Sequence, residues 1–157
     1  LGDCLETFKV EQLKGKAYTY LPDSLCPRYT DMLFETSNAS PQYGGVICDR
    51  PEATYILLQE LVQHTNSGQA VWKVIQVKSI VHSRPQSFVI SMGCRDIQHA
   101  STDDAPIFAL VQSAPQSTYQ TLAAWKVNLP AASFTDLNPK QVICKNPFVG
   151  ASAQTNN

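Results

Sequence analysis

The sequence predicts an α+β domain, with one amphipathic helix packed on a mainly antiparallel sheet of four to five strands and stapled by disulfides. Three observations carry that expectation. Residues 50–65 place apolar side chains at helical spacing between start and stop signals. Beyond residue 70 the chain reads as short apolar runs separated by turn residues, and five cysteines stand singly along it. At 157 residues it suits one domain of ordinary size. We take residues 1–150 as that single domain and residues 151–157, small and polar, as a disordered tail.

In chain order, residues 1–12 carry mixed charge, with Leu5, Phe8 and Val10 as anchors. Lys14-Gly15-Lys16 reads as a turn before the alternation Tyr18-Thr19-Tyr20. From Pro22 to Pro41 the signals are irregular, and Gly44-Gly45 punctuates the chain ahead of Val46-Ile47-Cys48. The helix follows. Asp49 and Glu52 have capping-box spacing, Pro51 suits a first turn, and Leu57, Leu58, Leu61 and Val62 fall along one side. Asn66-Ser67-Gly68 ends it with residues that accept left-handed backbone.

Strands are expected downstream: Val71 to His82, Phe88 to Cys94, Ile107 to Val111 and Val142 to Cys144. Thr118 to Leu129 carries both periods. Tyr119, Leu122 and Ala123 suit a helix, but Ala123, Trp125, Val127 and Leu129 alternate, and we read a strand ending near Leu129. Trp72 and Trp125 stand in apolar runs and are assigned to the core.

Composition narrows the function. Twelve Lys and Arg against thirteen Asp and Glu leave a net charge of -1. Nucleic-acid binding needs clustered positive charge, so no nucleic-acid partner is expected, and no polybasic membrane surface is present for the same reason. No apolar run approaches the roughly 18–20 residues of a membrane span. Only 16% of residues are charged, no cysteine pair has C-x-x-C spacing, and the chain starts at Leu1. These features predict an exported protein, periplasmic or extracellular, with oxidised cysteines. The opposing reading is five buried thiols in a reducing compartment. Spacing leaves the pairing open; we take Cys94 with Cys144 and Cys26 with Cys48, leaving Cys4 free, lipidated or bonded to another chain. A Cys94–Cys144 bridge closes a loop of about fifty residues, worth about 4 kcal/mol in the chain-entropy description.

The second half also carries a recurring set of segments: Trp72, Cys94-Arg95, Ile107-x-Ala109-Leu110-Val111, Ala124-Trp125-x-x-Asn128, Phe134, Cys144-x-Asn146 and Gly150. Over residues 72–150 it resembles small exported bacterial proteins of uncharacterised function that share the Cys-Arg, Ala-Trp-x-x-Asn and Cys-x-Asn segments. The resemblance implies an envelope location and supports the Cys94–Cys144 bridge. It departs from that pattern at Pro147-Phe148, where an acidic residue and a glycine are usual. It brings no activity with it.

Enzymatic signatures are sparse: the chain lacks G-x-S-x-G, H-E-x-x-H, a phosphate loop and a dinucleotide fingerprint. No cofactor is expected. The most polar constellation follows Cys94: Arg95, Asp96, His99, Asp103 and Asp104. Its His99, Asp103 and Asp104 are the candidate metal ligands, although Asp and Ser in such a loop also serve turn chemistry. His82, at a strand end, would pair with His99 if their strands were neighbours. A nucleophilic Cys94 or Cys26 would need a His partner and a free thiolate. Asn38-Ala39-Ser40 is formally a glycosylation sequon. For binding, the apolar segment from Leu129 and Pro130 to Phe134, together with Arg95, marks the expected contact surface. The expected function is therefore a non-enzymatic binding or interaction module whose partner is a protein or envelope component. The alternative is a metal-dependent or cysteine-based enzyme centred on the loop after Cys94.

Overall fold

In a computed structural model, which describes residues 4–34, 41–98, 105–115 and 117–147, the segment expected to wind into a helix is a strand. The α+β expectation is therefore wrong. The protein is mostly β, and among the described residues no helix reaches seven residues. The helical turns among the described residues are short 3-10 ones, at Leu5–Thr7, Val10–Gln12 and Pro139–Gln141.

The strands are β1 (Ala17–Tyr18), β2 (Arg28–Phe34), β3 (Tyr43–Asp49), β4 (Thr54–His64), β5 (Ala70–Ile80), β6 (Ser87–Ile90), β7 (Cys94–Asp96), β8 (Ile107–Gln112), β9 (Gln120–Asn128), β10 (Ser133–Leu137) and β11 (Val142–Cys144). They fall into two compact units, Leu1–His82 and Ser83–Asn157.

In the first unit the strand order is β1-β5-β4-β3-β2, antiparallel throughout. Strand β4 lies at its centre, and every residue from Thr54 to Gln59 is buried. That two-sided burial explains the wrong period. Leu57 and Leu58 point to opposite faces of a strand, and with both faces covered the run loses its alternation. The capping signals become hairpin chemistry. Arg50 N–H donates to the Ala53 carbonyl at 3.0 Å across the β3–β4 turn, and Pro51 lies inside that turn. Likewise Asn66-Ser67-Gly68 turns β4 into β5: Gly68 takes φ 91°, and Thr65 N–H reaches the Gln69 carbonyl at 2.8 Å.

One face of this sheet is covered by the N-terminal segment. Leu5, Val10, Leu13, Leu21 and Leu25 pack with Val46, Cys48, Tyr55, Leu57 and Val74, and the Cys26–Cys48 disulfide fastens the cover to β3. Further along, the buried Tyr18 hydroxyl donates to Gln59 Oε1, satisfying the one buried amide of β4. Gly44, expected to punctuate the chain, lies inside β3. A Cβ there would come within 2.7 Å of the Met32 carbonyl and 3.7 Å of the Trp72 ring, so the close approach of β2 requires glycine.

The second unit has a four-stranded antiparallel sheet, β10-β9-β8-β6, and a two-stranded sheet, β11-β7. The residues with two periods, Gln120–Asn128, form β9. Ala109, Val111, Ala124, Val142 and Cys144 form one buried cluster in this unit, with Phe88 and Tyr119 meeting edge to face at 5.3 Å between centroids. Cys94 stands directly opposite Cys144 in the β7–β11 register, and the two are bonded.

Candidate functional site

A connected polar cluster of the first unit lies where the N-terminal segment meets the β3–β4 turn. Arg50 is its hub. Its Nε donates to Glu52 Oε2 at 2.7 Å, and its Nη1 donates to the Ser24 and Leu25 carbonyls at 2.9 and 2.6 Å. Tyr55 donates its hydroxyl to Glu11 Oε1 at 2.7 Å, with Glu52 Oε2 at 3.4 Å. The turn puts Arg50 and Glu52 at the sheet's end, and Tyr55, buried on β4, sends its hydroxyl outward between the two carboxylates. Together Phe8, Glu11, Ser24, Arg50 and Glu52 help line a shallow cleft of about 330 Å³.

Charge states are fixed by these contacts. The Tyr55 hydrogen bond holds the Glu11 carboxyl below the ordinary carboxylate range, and the Arg50 guanidinium does the same for Glu52. Burial, and then the Glu11 carboxylate, push the Tyr55 phenol up to about 12. At neutral pH all three stay in one protonation state. The cluster is suited to holding the turn against the N-terminal segment, and not to exchanging protons.

A second polar relay joins β3, β4 and the end of β5. The Thr54 hydroxyl donates to Asp49 Oδ1 at 2.8 Å and lies 3.0 Å from His82 Nε2. Its single proton goes to the carboxylate, so His82 Nε2 is the donor to Thr54. A nucleophile would give its proton to the imidazole; here the order is reversed.

The residues singled out from sequence are placed as follows. Cys26–Cys48 and Cys94–Cys144 are the two disulfides, and Cys4 is an exposed free thiol. Cys94 and Cys26 therefore offer no thiolate in this oxidised form. Arg95 is exposed on β7, opposite Ile143. Leu129 and Pro130 open the β9–β10 turn, Leu129 half-buried and Pro130 exposed. Phe134 is not in a loop. It belongs to β10, is half-buried, and meets Phe108 edge to face at 6.5 Å between centroids. His99, Asp103 and Asp104 lie outside the described residues, as do the sequon Asn38-Ala39-Ser40 and the tail 151–157. Among the described residues no group of three or more His, Cys, Asp or Glu is arranged to hold a metal ion.

Sequence reading passed over β2, within a stretch taken as irregular. Tyr29, Thr30, Met32, Leu33 and Phe34 supply the aromatic, β-branched and apolar run that marks a strand. It is one of the two edge strands of its sheet among the described residues, with Tyr29 49% and Leu33 59% exposed.

Fold and polar clusters together define a mostly-β protein cross-tied by two disulfides, with no described helix long and apolar enough to cross a membrane. Compared with known protein families, with curated proteins and with solved structures, the chain shows no match.

Proposed function

We propose that the protein is a non-enzymatic, exported binding module that engages a protein or envelope component. The observation that carries this reading is β2: an outermost strand with two large apolar side chains, Tyr29 and Leu33, standing in solvent. Exposed apolar side chains on an open sheet edge favour association. The polar groups that resemble chemistry are engaged in cross-ties, with Arg50 on backbone carbonyls and Thr54 between Asp49 and His82. Two disulfides support residence in an oxidising compartment. The resemblance of residues 72–150 to small exported bacterial proteins agrees with an envelope location.

The test is photo-crosslinking from a benzoylphenylalanine placed at Tyr29, in an envelope fraction of the source cell. One discrete adduct, retained in the His99→Ala variant, is expected. A catalytic turnover that disappears with His99→Ala would overturn the reading and favour an enzyme centred on the loop after Cys94.

A further inference from the structure

Strand β2 presents a backbone edge as well as side chains. The Met32 carbonyl faces β3, since it lies 2.7 Å from where a Cβ on Gly44 would stand. Along an antiparallel strand, alternate residues turn their N–H and C=O groups to opposite edges. Those of Tyr29, Asp31 and Leu33 therefore face away from β3, where the sheet has no further strand among the described residues. The side chains of the same three residues share one face, opposite Cys48, Val46 and Gly44. An incoming strand thus meets apolar, acidic and apolar side chains in alternation, all three exposed.

Charge selects among occupants. A second copy of the chain, added antiparallel about the midpoint of β2, sets Asp31 against Asp31, and like charges directly opposite are destabilising. A strand with Lys or Arg at that position gains a cross-strand ion pair instead. Apolar residues two positions to either side of it pack on Leu33 and Tyr29.

We propose that β2 binds its partner by antiparallel strand addition, taking an extended peptide segment of the pattern apolar-x-basic-x-apolar with the basic residue opposite Asp31. This rests on the binding-module reading and names the class of its partner.

The probes are two fluorescein-labelled peptides, Thr-Val-Thr-Lys-Thr-Val-Thr and its counterpart with Glu in place of Lys, measured by anisotropy against the intact oxidised protein. The Lys peptide is expected to bind about fivefold more tightly, from one favourable against one unfavourable cross-strand charge pair. Asp31→Lys, a change on an exposed edge, is expected to invert that order. Backbone N-methylation of the Lys peptide at alternate residues, which removes the ladder donors and keeps the side chains, is expected to abolish binding. Amide exchange across 28–34 slows with the Lys peptide bound. Equal affinities, no inversion with Asp31→Lys, undiminished binding of the methylated peptide, or a homodimer closing on this edge would each overturn the proposal. A partner crosslinked from Tyr29 while neither peptide binds overturns strand addition and leaves the binding-module reading standing.

Discussion

The two disulfides tie different kinds of structure. In the first unit, Cys26–Cys48 joins a segment without regular strand structure to the C-terminal end of β3, and both residues are fully buried, in one cluster with Leu21, Leu25 and Tyr55. In the second, Cys94–Cys144 joins two strands already in register, in a sheet of only three residue pairs. A two-stranded sheet that short is marginal by hydrogen bonding alone. Where the sheet is broad, the covalent bond fastens a cover; where it is narrow, the bond takes the place of missing strands. Loop closure sharpens the contrast. The closed segments span 22 and 50 residues, which corresponds to about 3 and about 4 kcal/mol in the chain-entropy description.

The largest expected effect is therefore in the second unit. Replacing both Cys94 and Cys144 by Ala should lower the unfolding free energy by about 4 kcal/mol, measured by urea denaturation. Replacing Cys26 and Cys48 by Ala should cost about 3 kcal/mol. If the order reverses, burial of the first pair outweighs loop length.

Gly44→Ala tests packing in the first unit without touching a covalent bond. Its new methyl would press on the Met32 backbone carbonyl, which belongs to a strand and cannot swing away. A loss of about 1–2 kcal/mol is expected from such overpacking, with Cys26–Cys48 still formed by mass.

The smallest effect belongs to the polar cluster. Tyr55→Phe removes the phenol that donates to Glu11 and should cost about 1 kcal/mol at neutral pH. Its pH signature is more telling than its size. Glu11 and Glu52 titrate in the folded protein below their ordinary value of 4.5. Their stabilisation is thus present above that pH and is lost as pH falls through the folded values. Tyr55 runs the opposite way: raised from 10.0 to about 12, its contribution is present below pH 10 and is lost as pH rises towards 12. Hydrogen exchange between pH 5 and pH 3 should therefore show the N-terminal segment and the β3–β4 turn loosening on acidification. In Tyr55→Phe that acid dependence should flatten, because Glu11 loses the donor that lowers it. An unchanged acid limb would show that the cluster does not bear on stability.

Much of the strand content could be read from sequence. Val71 to His82 carries β5, Ile107 to Val111 carries β8, and Val142 to Cys144 is β11. The ambiguous Thr118 to Leu129 resolves to β9 because Ala124, Trp125 and Val127 need burial in a sheet. The failure at residues 50–65 has a clear origin. Asp49, Pro51 and Glu52 suit a helix start and a tight turn equally, and four apolar residues cannot report whether they cover one face or two. The candidate site was less legible. Glu11 and Tyr55 lie 44 positions apart, and no spacing rule connects them. Phe134 follows an apolar run that suggests a loop, whereas pairing with β9 makes it part of β10.

Residue chemistry alone sets where the chain turns, at Gly15 and at Gly68 with their positive φ, and which downstream runs extend, because backbone permissiveness and β-branching act locally. Tertiary structure decided the rest. Burial on both faces made β4 a central strand, since period carries no information once neither side meets water. Cysteine spacing left the pairing open, and strand register placed Cys94 opposite Cys144. The sheet order made β2 an edge, and an edge exists only after every other strand has found its neighbour.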